Sequence, residues 1–488
     1  MQHLNQQNLA TIDTQISKPS FDRSKLKTGI VHIGVGGFHR AHQAYYLQEL
    51  ATKTNAFNWG ICGIGLREED CNISTILKKQ DHLYSLLVKH PNGTIEPHII
   101  GAIVDYKFAI EDAQSVIDKM AHEDTKIVSL TITEGGYNFN PATGEFDFEN
   151  PIIQEELKYP ENPKSVYGYL AAALQKRRAK KLPAFTILSC DNIEHNGDVT
   201  KKMLLAFTQK LNPELAKWVE KEVKFPNSMV DRITPVTTPE DISFLAKNYD
   251  LKDEWPVTCE PFIQWVIEDK FSNGRPALEK VGVQFVPDVK PYEKMKLRLL
   301  NAGHSVLGIL GSLHGYQTIN ECIDDPLFNE YLKQFMDLEA TPVLDTLEGI
   351  DLDTYKKSLR ERFANPNIKD SVSRICSESA AKLPKFLIPT IKENLENEGN
   401  IALGTLVIAA WCYYSDKQTD LNGKPLEVID SQKEALQNSA QKNSLCFLEQ
   451  EAIFGDLSKN ERFVTLYEEM VKDLYHNRNV KKQMENLI

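Results

Sequence analysis

Three residues with the spacing Lys-x4-Asn-x2-His, namely Lys296, Asn301 and His304, are the part of this sequence best equipped for proton chemistry. On a regular helix of about 100° per residue they fall at roughly 0°, 140° and 80°, so one broad face carries all three. Leu297, Leu300 and Leu307 fall at roughly 100°, 40° and 20°, which makes the lysine emerge from an apolar surface. Lys294 and Arg298, at roughly 160° and 200°, are predicted to lie on the opposite, solvated side. Burial disfavours an ammonium ion and draws a lysine toward the range in which it accepts a proton near neutrality. Removing a hydride from a secondary alcohol requires such a base for the hydroxyl proton, and neutral donors for the alkoxide that forms in passing. Asn301 offers one amide. Asn192 offers a second, in the loop Asp191-Asn192-Ile193-Glu194-His195-Asn196-Gly197 that follows a predicted strand. Each residue also has a structural reading: Asn192 as a cap for the next helix, Asn301 as a satisfied hydrogen bonder, His304 as a core histidine. The joint pattern carries the chemical one.

Such a reaction needs a hydride acceptor, and the chain offers a seat for one. A predicted first strand runs into Gly34-Val35-Gly36-Gly37-Phe38-His39-Arg40-Ala41-His42, with a helix expected to begin near Ala41. Gly34 permits a tight turn, and Gly36 lets backbone N–H groups approach a pyrophosphate; Gly37, Phe38 and Arg40 continue the candidate cofactor-binding turn. His39 stands where the G-x-G-x-x-G pattern would place its third glycine, so the motif alone is equally a glycine-rich strand-to-helix turn. The second predicted strand ends in Leu66-Arg67-Glu68-Glu69-Asp70. A carboxylate there accepts from adenosine ribose hydroxyls and repels a 2′-phosphate, which favours NAD over NADP, while Arg67 pulls the other way. Zinc is a poor alternative. His39 and His42 could supply two ligands, but no cysteine or carboxylate set completes a tetrahedron.

The elements that must hold these residues form two series. Strand signals at 28–33, 58–64, 84–88, 99–104, 126–133 and 184–190 alternate with helical spacing such as 42–52 and 110–121, the rhythm of a doubly wound parallel sheet. After about residue 286 the periodic segments are helical: 292–314, 327–336, 387–398, 401–414 and 461–476. The expected organisation is therefore α/β: a Rossmann-type domain over 1–286, then a mostly α-helical domain over 287–488. With 56 basic and 68 acidic side chains the net charge is −12, which repels nucleic acid phosphates. No apolar run is long enough to cross a bilayer, and the polar stretch 1–22 lacks the core of a secretory signal, so a cytoplasmic, membrane-free protein is expected. Eight scattered cysteines without a C-x-x-C pair fit reduced thiols.

Several stretches together resemble the polyol-specific long-chain dehydrogenases. They are Ile30 through Gln43, then Ser129-Leu130-Thr131-Ile132-Thr133-Glu134-Gly135-Gly136-Tyr137-Asn138, Ser189-Cys190-Asp191-Asn192 with Asn196-Gly197, the Lys296/Asn301/His304 signature, Ser373-Arg374-Ile375 and Lys382-Leu383-Pro384-Lys385-Phe386. The resemblance implies interconversion of a polyol and its ketose without metal, a substrate held in a cleft between the domains, and in many members a monomer. It assigns Lys296 as general base, Asn192 and Asn301 as oxyanion-binding amides, and His304 as a substrate-orienting partner. Glu134 would pass the released proton toward water, and Asp231, Arg374 and Lys382 would contact substrate hydroxyls. An acidic residue matching Glu69 or Asp70 goes with NAD preference. Relatives reduce fructuronate or tagaturonate or act on arabinitol, and Thr133-Glu134-Gly135-Gly136-Tyr137 is closer to the mannitol-acting type.

Overall fold

Thr28–Ile33 (β1) is the strand around which the first part of the chain is organised. In the computed structural model, which describes residues 1–140, 143–347 and 349–488, β1 sits at the centre of a five-stranded sheet. The other strands are Gly60–Gly65 (β2), Ile103–Phe108 (β3), Ile127–Leu130 (β4) and Thr186–Ser189 (β5). Their order is β3-β2-β1-β4-β5 and every pairing is parallel. Successive side chains point to opposite faces, so Val31 and Ile33 enter one core with Ile117, Leu170, Leu174 and Phe207, while Ile30 enters another with Leu47, Leu50 and Leu77. Helices therefore cover both faces, and the central strands are buried and mostly apolar, with His32 of β1 and Ser129 of β4 hydrogen-bonded to each other. The order of strands reverses between β1 and β4. That is the switch point at which open α/β sheets bind ligands beyond the carboxyl ends of their strands.

Two departures from the expected rhythm have local causes. The strand signal at 84–88 does not join the main sheet: Tyr84–Lys89 pairs with Ile95–Ile100 antiparallel and with Val257–Cys259 parallel in a separate three-stranded sheet. The signal at 99–104 covers two strands rather than one, because the chain leaves its ladder at Gly101. There the N–H donates to Gln48 Oε1 and the carbonyl accepts from Arg23 Nε, so both backbone groups go to side chains. A third sheet joins Ser228–Asp231 (β6), Gln264–Glu268 (β7) and Gln284–Val286 (β8).

The chain divides into two compact units, Met1–Lys290 and Pro291–Ile488. The second unit is helical, and among the described residues no strand follows Val286. Its longest apolar helix, Ala402–Lys417, is buried continuously from Leu403 to Asp416 and so serves as a central rod rather than an amphipathic cover. Glu339, itself fully buried, holds the start of that rod, accepting from Leu403 N at 2.6 Å and Gly404 N at 2.8 Å. No helix among the described residues is long and apolar enough to cross a membrane.

Candidate active site

Beyond β1 the chain turns sharply at Gly34, where φ is +94° and a Cβ would stand 2.0 Å from the Thr131 carbonyl oxygen. Only glycine fits this position. The Gly34 carbonyl is fixed by Thr131 Oγ1 at 2.6 Å, and Gly36 N–H donates back to it at 2.7 Å. Gly36 and Gly37 face no such obstruction, since the nearest atoms to an added Cβ are 3.9 and 3.7 Å away. Their lack of side chains leaves open the approach to the first turn of Gly37–Ala41 (α1), whose leading N–H groups have no carbonyl ahead of them in the helix. These residues fit a dinucleotide phosphate.

The helix begins at Gly37, earlier than the Ala41 expected from spacing, and breaks at His42 before Gln43–Thr54 (α2). His39 explains the missing third glycine. Its ring stacks on His32 of β1 with centroids 3.5 Å apart, so an aromatic pair makes the close helix–strand contact that a glycine would otherwise allow. His32 is held between Ser129 Oγ at 2.8 Å and Thr131 Oγ1 at 2.9 Å. Burial lowers its pKa to about 3, and lowers that of His39 far below the usual histidine range with His32 as the second cause. Arg40 is buried too: Nη1 donates to Trp255 O at 2.6 Å and Nε to Gly36 O at 3.3 Å, so its guanidinium braces the turn from inside. Gly37, Phe38 and Arg40, with residues 234–237 and Trp255, line a cavity of about 420 Å³.

The acidic end of β2 separates into two roles. Asp70 Oδ2 accepts from Leu66 N and Arg67 N, both at 3.0 Å, and so holds the turn that carries it. Glu69 is exposed, with Arg67 Nε 3.9 Å away. Of the two it is the carboxylate turned outward.

The loops that leave β4 and β5 are laced together by Asp191, which the sequence reading passed over in favour of its neighbour. Asp191 Oδ1 accepts from Thr133 N at 2.8 Å, and Oδ2 from Ile132 N at 3.1 Å and Tyr137 Oη at 2.7 Å. Burial raises its pKa despite these donors. Thr133 sits at φ +58°, ψ 172°, a conformation rare outside glycine. Glu134 and Asn192, each next in sequence to a residue of this knot, are both exposed. Asn192 does not cap the following helix, Asn196–Leu211, whose N-cap is His195. Asp231 ends β6 and is buried, in register with Gln264.

In the second unit the uniform helix expected over 292–314 is interrupted. Lys290–Lys296 (α3) passes into a π-turn at Leu297–Asn301 and then into Ala302–His314 (α4). The Ala302 N–H reaches the Leu297 carbonyl, a five-residue step. The wider turn takes more residues per revolution than an α-helix. Asn301 is thereby brought closer around the axis to Lys296 than the roughly 140° of a regular helix, and His304 follows three residues on. Lys296 and His304 are 7% and 8% exposed, and the enclosed Asn301 Oδ1 atom has no hydrogen-bond partner among the described residues. Arg298 is not solvated as expected. It is buried, donating to Lys385 O at 2.8 Å and Glu393 Oε1 at 3.0 Å, partners that lie 87 and 95 residues downstream. Lys294 is half-buried and pairs with Glu393 at 2.7 Å.

His304 stacks on Phe363 at 4.1 Å, and its Nε2 is 4.0 Å from Asp370 Oδ2. Arg374 grips the same carboxylate, with Nε 2.8 Å from Oδ1. Lys382 Nζ rests on the Ile375 carbonyl at 3.2 Å and the Arg374 carbonyl at 3.4 Å; burial and then the Arg374 charge lower its pKa. Among the described residues no three His, Cys, Asp or Glu side chains converge to hold a metal ion; His42 Nε2 is paired with Gln264 O at 2.8 Å.

A five-stranded parallel sheet with a glycine turn at its switch point, followed in the chain by a helical unit, defines a Rossmann-type nucleotide-binding protein with an appended α-helical domain. Family models described as the mannitol dehydrogenase Rossmann domain and the mannitol dehydrogenase C-terminal domain match residues 28–280 and 288–475. The chain belongs to the mannitol dehydrogenase family. Among its relatives is a mannitol 2-dehydrogenase of Neosartorya fischeri, 45% identical over 476 residues and covering 94% of each chain. The structure of Pseudomonas fluorescens mannitol 2-dehydrogenase in ternary complex with NAD and D-mannitol is 44% identical, with a TM-score of 0.89 over 100% of this chain and 99% of that one. A substrate-free D-sorbitol dehydrogenase structure is 35% identical, with a TM-score of 0.92 over 99% and 100%.

Proposed function

We propose that this chain interconverts a polyol and its ketose with NAD, on the mannitol–fructose pattern, using a lysine base and no metal. The observation that supports the reading is the π-turn between a buried Lys296 and a buried His304, which turns Asn301 closer to the lysine than a regular helix would. The Lys296 amine is the group assigned to accept the proton of the substrate hydroxyl. The Asn301 and Asn192 amides donate to the oxygen as it gains charge. His304 orients that oxygen, and Glu134, exposed at the end of its loop, passes the proton on to water. Asp231, Arg374 and Lys382 hold the remaining hydroxyls. NAD, when bound, accepts the hydride. Gly34, Gly36, Gly37 and Phe38 form its seat, Arg40 supports that seat from beneath, and Glu69 rather than Asp70 meets the adenosine ribose. An outward carboxylate there disfavours a 2′-phosphate, so NAD is used in preference to NADP.

The test is turnover of mannitol, arabinitol, fructose, fructuronate and tagaturonate with each nicotinamide cofactor, for the wild type and Lys296→Ala. Loss of a positioned base lowers kcat by about 10² to 10⁴, with NADH binding retained. Near-normal turnover in Lys296→Ala would remove the lysine mechanism, and turnover of the uronates alone would remove the polyol reading.

A further inference from the structure

The charges around Arg374 in the second unit bear on which substrates that residue can hold. Asp370 and Arg374 are four residues apart, and both are fixed by backbone contacts. The Asp370 carbonyl accepts from Ile319 N at 2.9 Å. Ser371 caps the short helix Val372–Cys376, its hydroxyl accepting from Arg374 N at 3.1 Å. The Asp370 carboxylate is almost wholly enclosed, whereas the Arg374 side chain is 57% exposed. Between them lies a two-pronged contact: Nε donates to Oδ1 at 2.8 Å, and Nη2 meets both oxygens at 2.5 Å. One whole edge of the guanidinium is thus occupied.

We infer that Asp370 sets the charge specificity of the substrate site, by neutralising Arg374 so that it binds the uncharged end of a polyol or ketose and rejects a carboxylate. The inference rests on the reading above that Arg374 meets substrate. A carboxylate substrate is best held by the fork of an arginine, two parallel N–H donors against two oxygens. Asp370 already fills the Nε–Nη2 fork, and an anion that takes the remaining Nη1–Nη2 edge must approach the Asp370 charge. A hydroxyl asks for a single donor, and the Nη1 edge is not used by Asp370. Lys382 keeps its charge, but its ammonium donates to the carbonyls of Arg374 and Ile375 and so is turned toward the backbone. The same carboxylate faces His304 at 4.0 Å, so one buried charge serves both residues. Asp370 is in these terms a positioning residue.

Fructose and fructuronate differ only in a carboxylate at the terminal carbon, so their kcat/KM ratio with NADH isolates the effect. The wild type should favour fructose. Asp370→Asn should raise the fructuronate-to-fructose ratio at least tenfold, and gluconate should become a tighter competitive inhibitor by a similar factor. Arg374→Gln, at an exposed side chain that can be changed without disturbing the core, leaves Asp370 unopposed and should lower the ratio at least tenfold. A structural role alone would scale both substrates together. Equal loss on both in Asp370→Asn, an unchanged ratio in Arg374→Gln, or a wild type that prefers fructuronate each overturns the inference. If Asp370→Asn does not fold, Arg374→Gln decides. A wild type inactive on fructose with either cofactor instead overturns the functional reading itself.

Discussion

Replacing Asp191 by Asn changes one oxygen to an NH2 group at the point where the loops bearing Glu134 and Asn192 are tied. The carboxylate takes three donors: Thr133 N on one oxygen, and Ile132 N and Tyr137 Oη on the other. An amide can keep only one oxygen. With that oxygen facing Ile132 and Tyr137, its NH2 group points at the Thr133 N–H. A hydrogen bond to a charged group is worth about 1.5–3 kcal/mol net, and a buried donor left unmatched costs about 1–3 kcal/mol. Against this, removing the charge relieves the burial that raises the Asp191 pKa. A net penalty of about 1.5–3 kcal/mol remains.

The penalty is local, because Thr133 is held at φ +58° and ψ 172°, a conformation that costs on the order of 1–3 kcal/mol and is released once its tether is gone. The loop therefore relaxes instead of the domain unfolding. At about 1.36 kcal/mol per tenfold change in rate, kcat for fructose reduction should fall on the order of tenfold to a hundredfold. KM for NADH and the melting temperature should change little, because Gly34 and the strands are not touched. Tyr137→Phe removes one of the three donors and should give a smaller loss that does not add to that of Asp191→Asn. Steady-state kinetics with NADH and fructose, alongside thermal denaturation, measure all of this. A kcat within twofold of wild type would refute the reasoning, as would a loss that follows unfolding or a matching rise in the NADH KM.

The remaining predictions concern the second unit's core and the cofactor turn. Burial pushes the Glu339 carboxyl up to about 8 from an ordinary 4.5. The folded state then holds its proton more tightly than the unfolded chain, so this group's stabilising contribution is full below the unfolded value and is lost as pH rises toward the folded one, by at most about 1.36 kcal/mol per unit. Urea denaturation at pH 5 and pH 8 should show Glu339→Gln losing less stability than wild type across that interval; parallel losses would count against it. Gly34→Ala must displace the Thr131 carbonyl, 2.0 Å from the new Cβ, and should weaken NADH binding at least tenfold by fluorescence titration; an unchanged Kd would mean that the turn does not seat the cofactor.

The main sheet was legible in the sequence because parallel strands buried on both faces leave largely apolar runs, as in Ile30 to Ile33, where only His32 is polar. The glycine turn was legible for a related reason: positive φ and close approach admit one residue type. The π-turn was not. Nothing in Leu297-Arg298-Leu299-Leu300-Asn301 marks a five-residue hydrogen bond, and a uniform 100° step sent Asn301 to 140° and Arg298 into solvent. Arg298 is buried because Glu393 and the Lys385 carbonyl receive it, partners that only the fold brings near. His39 lay between these cases. Its partner His32 is seven residues earlier on the buried strand, so two inward-facing rings could have been paired from spacing alone.

Carboxylates divide the readable from the unreadable most sharply. Three of them adjoin residues assigned to chemistry: Asp70 beside Glu69, Asp191 beside Asn192, and Asp370 one helical turn from Arg374. In a sequence each has the same standing as its neighbour, since an acid that meets a ligand and an acid that holds the next residue occupy the same motif. In the structure all three are engaged by protein donors: Asp70 by two backbone amides, Asp191 by two amides and a phenol, Asp370 by a guanidinium. Their charge is thereby spent on geometry. On the proposed reading, a substrate without charge would then meet amides, an imidazole and an arginine whose charge Asp370 offsets, with Lys382 and Asp231 adding one charge of each sign.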